Sequence, residues 1–203
     1  MPINDAPLHG SPLGSLPQRL SVGGELGAAL SLVAERIRQA SRAVVLPTVL
    51  LRRYGLVPAL ERFLAASGLP YATTPMDKAL LPEDHPAFLG LYNGGRSAPA
   101  ALQELVEQAD LQVDVGGLVQ EDLNTGLWSD HLDPRRIVSL REDWVQVGGP
   151  GGPRVFTSVG LGDMLEGLAA RLQPPPGWSR WVARTGRCSR LSHCRWPASR
   201  RTR

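Results

Sequence analysis

Short, unbroken apolar runs alternate along this chain with segments of helical periodicity, and this alternation restricts the fold more than any other feature. The clearest runs are Ala43-Val44-Val45-Leu46 and Leu111-Gln112-Val113-Asp114-Val115. Such runs are typical of strands that are buried on both faces of a sheet. Strands of this kind that alternate with helices predict a mostly parallel sheet with helices on both faces.

Four segments have apolar residues at helical spacing and are predicted as helices. They cover approximately residues 25–39, 56–67, 97–108 and 162–172. Gly68 follows the second helix in the position of a C-terminal cap, where a left-handed residue often ends a helix. Ser97 is the predicted N-cap of the third helix, and Pro99 fits its first turn.

Four further strands are predicted, at residues 70–74, 136–140, 144–147 and 155–159. Residues 75–96 and 118–134 have no clear period and are predicted as loops, and a loop as long as the first is typically functional or interfacial. In a parallel sheet with right-handed crossovers, the loops that follow the strands meet at one edge, where such folds bind their ligands. The sequence therefore places any binding site at the carboxyl edge of the sheet.

Basic residues are concentrated in the last part of the chain. Eight arginines and no acidic residue follow Gly177, and both cysteines, Cys188 and Cys194, also lie there. The rest of the chain has 14 basic and 19 acidic residues, so the net charge of +3 reflects the tail. A body without a basic patch argues against nucleic-acid binding, and a body without cysteine excludes disulfides and thiolate metal sites.

No targeting or membrane segment is predicted. No apolar run reaches the roughly 20 residues that a bilayer span requires. The first residues, Met1-Pro2-Ile3-Asn4-Asp5, contain no basic region followed by an apolar stretch, so we expect no signal peptide. Residues 1–22 are predicted as an extended linker and residues 174–203 as an Arg-rich disordered tail. We expect a cytoplasmic protein without membrane contact.

The common catalytic and cofactor motifs are missing from the sequence. Neither Gly-x-x-x-x-Gly-Lys-Ser/Thr nor a Gly-x-Gly-x-x-Gly after the first strand occurs, so the usual phosphate-binding turns are not predicted. His9, His85 and His131 have no ligand-type partner at helical spacing, so no metal site is predicted. His85 precedes Pro86 in a loop and is interpreted as a structural side chain that caps this loop.

Five candidate pocket residues follow predicted strands. Gly116 and Gly117 form either a tight exit from the third strand or a close backbone contact with a phosphate. Asn124 and Thr125 begin a predicted Asn-Thr-Gly turn. Asp143 follows the fourth strand, where an acidic residue of a dinucleotide fold holds a ribose. The structural interpretation is favoured for each of them, and no catalytic residue is predicted.

Four motifs occur in order at spacings that are typical of one family. They are Thr74-x-x-x-Lys78, His85-Pro86-x-x-x-Gly90, Val106-Glu-x-Ala-Asp110 and Asn124-Thr-Gly126. With their surroundings they resemble the central domain of the thiamine-diphosphate-dependent 2-oxo-acid decarboxylases, which include the pyruvate, indolepyruvate and phenylpyruvate decarboxylases. The resemblance extends from about residue 7 to residue 172.

The resemblance implies a Rossmann-like three-layer α/β sandwich with a mostly parallel, six-stranded sheet. In the family, two other domains hold thiamine diphosphate and Mg²⁺ and supply the catalytic residues. The Gly-Asp-Gly motif by which the last of these domains holds magnesium and diphosphate does not occur here, since Gly162-Asp163 is followed by Met164. Ala79 stands where the family loop has glycine after lysine, which leaves the geometry of this loop open.

These observations lead to the hypothesis of an isolated central domain from an enzyme that converts 2-oxo acids to aldehydes. Such a chain would bind no cofactor alone, and its partners would be the missing thiamine-binding domains or homologous decarboxylase subunits, with a homo-oligomer as a further option. A reading-frame shift or a truncation would explain why the sequence after Gly177 departs from the family. The alternatives are a subunit of a split decarboxylase and a nucleotide-binding regulatory module, because related central domains bind a nucleotide or a flavin. Nucleic-acid binding through the tail is the least favoured.

Overall fold

A single sheet of seven strands forms the centre of the molecule. The computed structural model describes residues 20–22, 24–126 and 131–174. The strands are β1 (Ala43–Pro47), β2 (Tyr71–Thr73), β3 (Phe88–Leu91), β4 (Leu111–Val115), β5 (Ile137–Leu140), β6 (Trp144–Val147) and β7 (Arg154–Thr157). They are arranged in the order β3-β2-β1-β4-β5-β6-β7. The first five strands of the chain run parallel, and β6 and β7 continue the sheet as an antiparallel hairpin.

Helices cover the sheet on both faces. They are α1 (Glu25–Gln39), α2 (Leu50–Arg53), α3 (Val57–Ser67), α4 (Ala101–Glu107), α5 (Asp122–Thr125) and α6 (Leu161–Ala169), with short 3-10 helices at Pro75–Asp77 and Pro134–Arg136. Helix α6 packs against α3 and α1 and forms one layer with them. The β3-to-β4 connection through α4 crosses the sheet in the direction opposite to the β1-to-β2 connection through α3. With right-handed crossovers, α4 therefore lies on the other face.

The predicted α/β sandwich is confirmed, but the expected six-stranded sheet has a seventh strand. The additional strand is β3, which lies inside the predicted loop of residues 75–96. It contains Gly90 and lies among Pro82, Pro86, Gly94 and Gly95, so the segment has the composition of a loop. The other predicted loop, residues 118–134, likewise contains α5 and the second 3-10 helix.

One of the two predicted helix caps is correct. Gly68 ends α3 with a φ of 67°, and its N–H donates to the carbonyl of Leu64 at 2.8 Å. The prediction of Ser97 as the N-cap of α4 is wrong, because this helix begins at Ala101. The Ser97 hydroxyl instead accepts from the N–H of Asn93 at 3.0 Å, within the loop before the helix.

The ends of the chain are described only in part. Of the predicted linker, residues 20–22 are included, and the Ser21 N–H donates to the Asp163 carboxylate of α6 at 2.8 Å. His9, Cys188 and Cys194 lie outside the described residues, as does the predicted tail beyond residue 174. None of the described helices combines the length and the apolar character that crossing a membrane requires.

Candidate functional site

A buried carboxylate joins the loops that follow β1 and β2 at the carboxyl edge of the sheet. Asp77 accepts a hydrogen bond from the N–H of Val49 at 2.7 Å, and its second oxygen accepts one from the hydroxyl of Thr74. Asp77 is only 3% exposed, so these bonds offset the loss of water around its charge. Both of its oxygens are therefore engaged in holding the loops together.

A buried amide joins the loops that follow β2 and β4. The Asn124 side chain accepts from the N–H of Met76 at 3.0 Å and donates to the carbonyl of Val119 at 2.8 Å. Thr125 bonds within its own segment, where its hydroxyl accepts from the N–H of Glu121 at 3.1 Å. The predicted Asn-Thr-Gly turn is in fact the end of the one-turn helix α5, and Gly126 closes this helix with a φ of 76°.

A buried ion pair lies where β4 and β5 end. The Asp114 carboxylate accepts from the N–H of Leu118 at 2.7 Å and lies 3.1 Å from the Arg141 guanidinium. Burial raises the pKa of the Asp114 carboxyl above its usual range, and Arg141 and the backbone N–H groups of Leu118 and Gly117 partly offset that rise. The pair thus fixes the first residues of the loop after β4 against the end of β5.

The two candidate glycines occupy the switch point between β1 and β4, where the order of the strands reverses. Both have positive φ, 99° for Gly116 and 112° for Gly117. A Cβ on Gly116 would lie 2.5 Å from the hydroxyl of Thr48, and one on Gly117 would lie 2.4 Å from Nη1 of Arg141. The glycines therefore permit the close packing expected of a tight exit, while a phosphate contact at this position stays a prediction.

The structure places the five candidate residues in two places. Gly116, Gly117, Asn124 and Thr125 lie in the loop after β4 at the carboxyl edge. Asp143 lies in the loop after β5, which ends at the same edge, and lines an open cavity beside Trp144 at the start of the β6–β7 hairpin. A ribose contact at Asp143 stays a prediction, as does a phosphate contact at the glycines.

Among residues 20–22, 24–126 and 131–174, no three His, Cys, Asp or Glu side chains lie together as a metal site would require. The imidazole of His85 accepts from the N–H of Ala87 at 3.1 Å, which confirms its structural role in the loop. Tyr54 donates to Glu142 at 2.8 Å, and burial raises the pKa of its hydroxyl, followed by the effect of Glu142.

Comparison with known proteins shows to which family the chain belongs. Residues 30–167 match the family model described as thiamine pyrophosphate enzyme, central domain. The chain belongs to this family. It is 36% identical over 167 residues to an alpha-keto-acid decarboxylase of Mycobacterium leprae, covering 82% of this chain and 27% of that protein. It is 34% identical over 118 residues to a pyruvate decarboxylase of Kluyveromyces marxianus, covering 58% of this chain and 21% of that protein.

The chain spans about a quarter of the length of the alpha-keto-acid decarboxylases that it matches. A second relative, from Mycobacterium avium, is 35% identical over 159 residues, which cover 78% of this chain and 26% of that protein. The thiamine pyrophosphate on which the family depends needs donors for a metal-bound diphosphate. The described residues do not fit this group, because they contain no metal-binding cluster and because Asp77 and Asp114 are engaged by protein donors.

Sequence reasoning missed the three side chains that organise the edge, Asp77, Asp114 and Arg141. Asp114 could have been noticed, since it is a charged residue inside an otherwise buried strand. A buried charge of this kind needs a partner, and Arg141 is the first residue after β5, the neighbouring strand. Asp77 gave no such indication, because it lies in a predicted loop and its contact with Val49 in the loop after β1 depends on the tertiary fold.

Proposed function

We propose that this chain is the structural central layer of a 2-oxo-acid decarboxylase and that other domains hold the cofactor and carry out the reaction. The proposal is supported by the hydrogen bonds and the ion pair at the carboxyl edge of the sheet. Its buried carboxylates, Asp77 and Asp114, bind loop N–H groups, a hydroxyl and a guanidinium. These bonds hold the loops together, and within the described part of the chain they engage both buried carboxylates, which are then not free to act as an acid or a base.

The relatives support a specific reaction for the complete enzyme. They are named alpha-keto-acid and pyruvate decarboxylases, so the assembled enzyme would convert a 2-oxo acid to an aldehyde and CO₂. Thiamine diphosphate, held with Mg²⁺ by the other domains, would supply the stabilised carbanion that this reaction needs. This chain would contribute by holding its loops in fixed positions against those domains. The partners are thiamine-binding domains or homologous decarboxylase subunits, in a cytoplasmic enzyme.

A thermal-shift experiment tests whether the chain binds the cofactor alone. The midpoint of unfolding is measured for the purified chain with and without thiamine diphosphate and Mg²⁺. A ligand at 100 times its Kd would stabilise the folded state by about 2.7 kcal/mol, which gives a shift of several degrees. We expect no shift, and no CO₂ release from pyruvate. The decarboxylase of M. leprae serves as the positive control, and a clear shift or CO₂ release with this chain alone would contradict the proposal.

A nucleotide-binding regulatory module is the second candidate function. It is favoured by two buried polar atoms at the switch point, Thr48 Oγ1 and Arg141 Nε, which have no hydrogen-bond partner within the described part of the chain. Open α/β sheets bind their ligands at such points. Thermal shifts with ADP, FAD and NAD test this candidate. A stabilisation that is lost in the Thr48→Val variant would support it, and the absence of any shift would exclude it.

A further inference from the structure

An open cavity of about 460 Å³ lies on the β6–β7 hairpin. Two cross-strand pairs form its floor, Trp144 with Thr157 and Gln146 with Val155. These four residues share one face of the hairpin, because side chains alternate along a strand. On the opposite face, Val145, Val147 and Phe156 are buried in the core, and Arg154 at the end of the hairpin is exposed. The volume falls within the range of small-molecule pockets, roughly 300–1,000 Å³.

Unpaired polar side chains surround this floor. The side chains of Asp143, Gln146, Thr157 and Ser158 line the cavity, and none of them has a hydrogen-bond or ion-pair partner among the described residues. Together they offer a carboxylate, an amide and two hydroxyls. None of the described residues that line the cavity is a lysine or an arginine. The polar groups available to a ligand are therefore neutral or negative.

The indole ring of Trp144, in the floor of the cavity, contacts a side chain that does not line the cavity. The Arg141 guanidinium lies 5.5 Å from the centre of the Trp144 ring, a distance at which cations stabilise indole rings. Arg141 is itself fixed by its ion pair with Asp114. The rim residue Ser158 has a φ of 56°, a conformation that non-glycine residues adopt at a cost and that is often found at binding sites.

We propose that this cavity binds a neutral ring that carries hydroxyl groups, the chemistry that free sugars share with nucleosides. The ring packs on Trp144, since the indole face offers an apolar surface both to the C–H groups of a sugar ring and to a flat base. Asp143 and Gln146 accept hydrogen bonds from the hydroxyls, and Thr157 provides a further polar contact. The Asp143 carboxylate repels phosphates and 2-oxo acids, so the site does not serve the substrate of the proposed decarboxylase.

Isothermal titration calorimetry of the full chain with glucose and with adenosine tests this proposal, each ligand being raised to about 10 mM, well above the Kd of weak pockets. We expect saturable heat with at least one ligand. Glucose alone would identify a saccharide site, adenosine alone a nucleoside site, and both a site for the ring hydroxyls. Heat from neither ligand would overturn the proposal, and it would leave the scaffold function unaffected.

Three variants locate the binding. Asp143→Asn and Trp144→Ala should each weaken binding by about tenfold or more, the loss expected when a charged hydrogen bond or a stacking surface is removed. Thr157→Val removes only a hydroxyl on an exposed strand position, so it remains informative if Trp144→Ala does not fold. Asp84→Asn, in an exposed loop, is the matched control and should bind as the unchanged chain does. If Asp143→Asn and Thr157→Val both bound the ligand as tightly as the unchanged chain does, the ligand would bind elsewhere and the proposal would be contradicted.

Discussion

The Asn124 side chain accepts a hydrogen bond from the N–H of Met76 at 3.0 Å, although the two residues are 48 positions apart in the chain. The same amide donates to the carbonyl of Val119 at 2.8 Å. One buried side chain thus joins the loop after β2 to the loop after β4. Hydrogen bonds of this kind hold the loops together at the carboxyl edge of this family member.

Replacing Asn124 by alanine should destabilise the chain by about 1–3 kcal/mol, because the partly buried N–H of Met76 and carbonyl of Val119 both lose their partner. Asn124→Asp should also destabilise it, since a carboxylate oxygen would then face the carbonyl of Val119. Urea denaturation followed by circular dichroism measures the change. Leu123→Ala is the control, because Leu123 is adjacent but 74% exposed. An Asn124→Ala variant as stable as this control would show that the bridge is unimportant.

Removing Arg141 should leave the Asp114 carboxylate buried without its counter-ion. We expect Arg141→Met to lower the free energy of unfolding by ~3 kcal/mol at about pH 7, as for other pairs in which one buried charge is left alone. Arg38→Met removes an exposed ion pair with Glu35 and should change the stability far less. Equal effects of the two substitutions would contradict the role of the buried pair.

The pH dependence of this effect follows from the raised pKa of Asp114. A carboxyl whose pKa is raised on folding contributes stability that is present below its unfolded value of 3.8 and is lost as the pH rises through the folded value. Without Arg141 the pKa rises further, so the difference between Arg141→Met and the unchanged chain should shrink as the pH falls and Asp114 is protonated. Unfolding in urea at several pH values measures this trend.

Replacing Ala79 by glycine should stabilise the chain. Ala79 has a φ of 59°, where a Cβ costs roughly 1–2 kcal/mol, and glycine gives back only part of this gain through its larger unfolded entropy. We expect a net gain of about 0.5–1 kcal/mol in urea denaturation. Ala40→Gly is the control and should lower the stability of the chain. Ala40 has a φ of −67°, which alanine adopts without strain, so glycine only increases the entropy of the unfolded chain. A loss of stability in Ala79→Gly would contradict this account.

Helix α1 and the buried strands β1 and β4 were predictable, because their apolar positions repeat within one local segment. Strand β3 was not predictable, because Gly90 and the prolines and glycines around it give this segment the composition of a loop. The candidate site was only partly predictable, because some contacts between its residues depend on the tertiary fold. Asn124 could be recognised as part of a motif, but its contact with Met76, 48 positions away, follows only from the tertiary fold.

Adding a methyl group to Gly117 should be costly for two separable reasons. Its φ of 112° is unfavourable for alanine, and the new Cβ would lie 2.4 Å from Nη1 of Arg141, so we expect Gly117→Ala to destabilise the chain by about 2 kcal/mol or more. In a double-mutant cycle with Arg141→Ala, the clash should vanish and the backbone strain should remain, so that the two changes are not additive.

Gly27→Ala is the control, because nothing lies within 4 Å of its Cβ position in α1, and it should stabilise the chain by about 0.5–1 kcal/mol. Strict additivity of Gly117→Ala and Arg141→Ala would show that the guanidinium does not pack against this glycine.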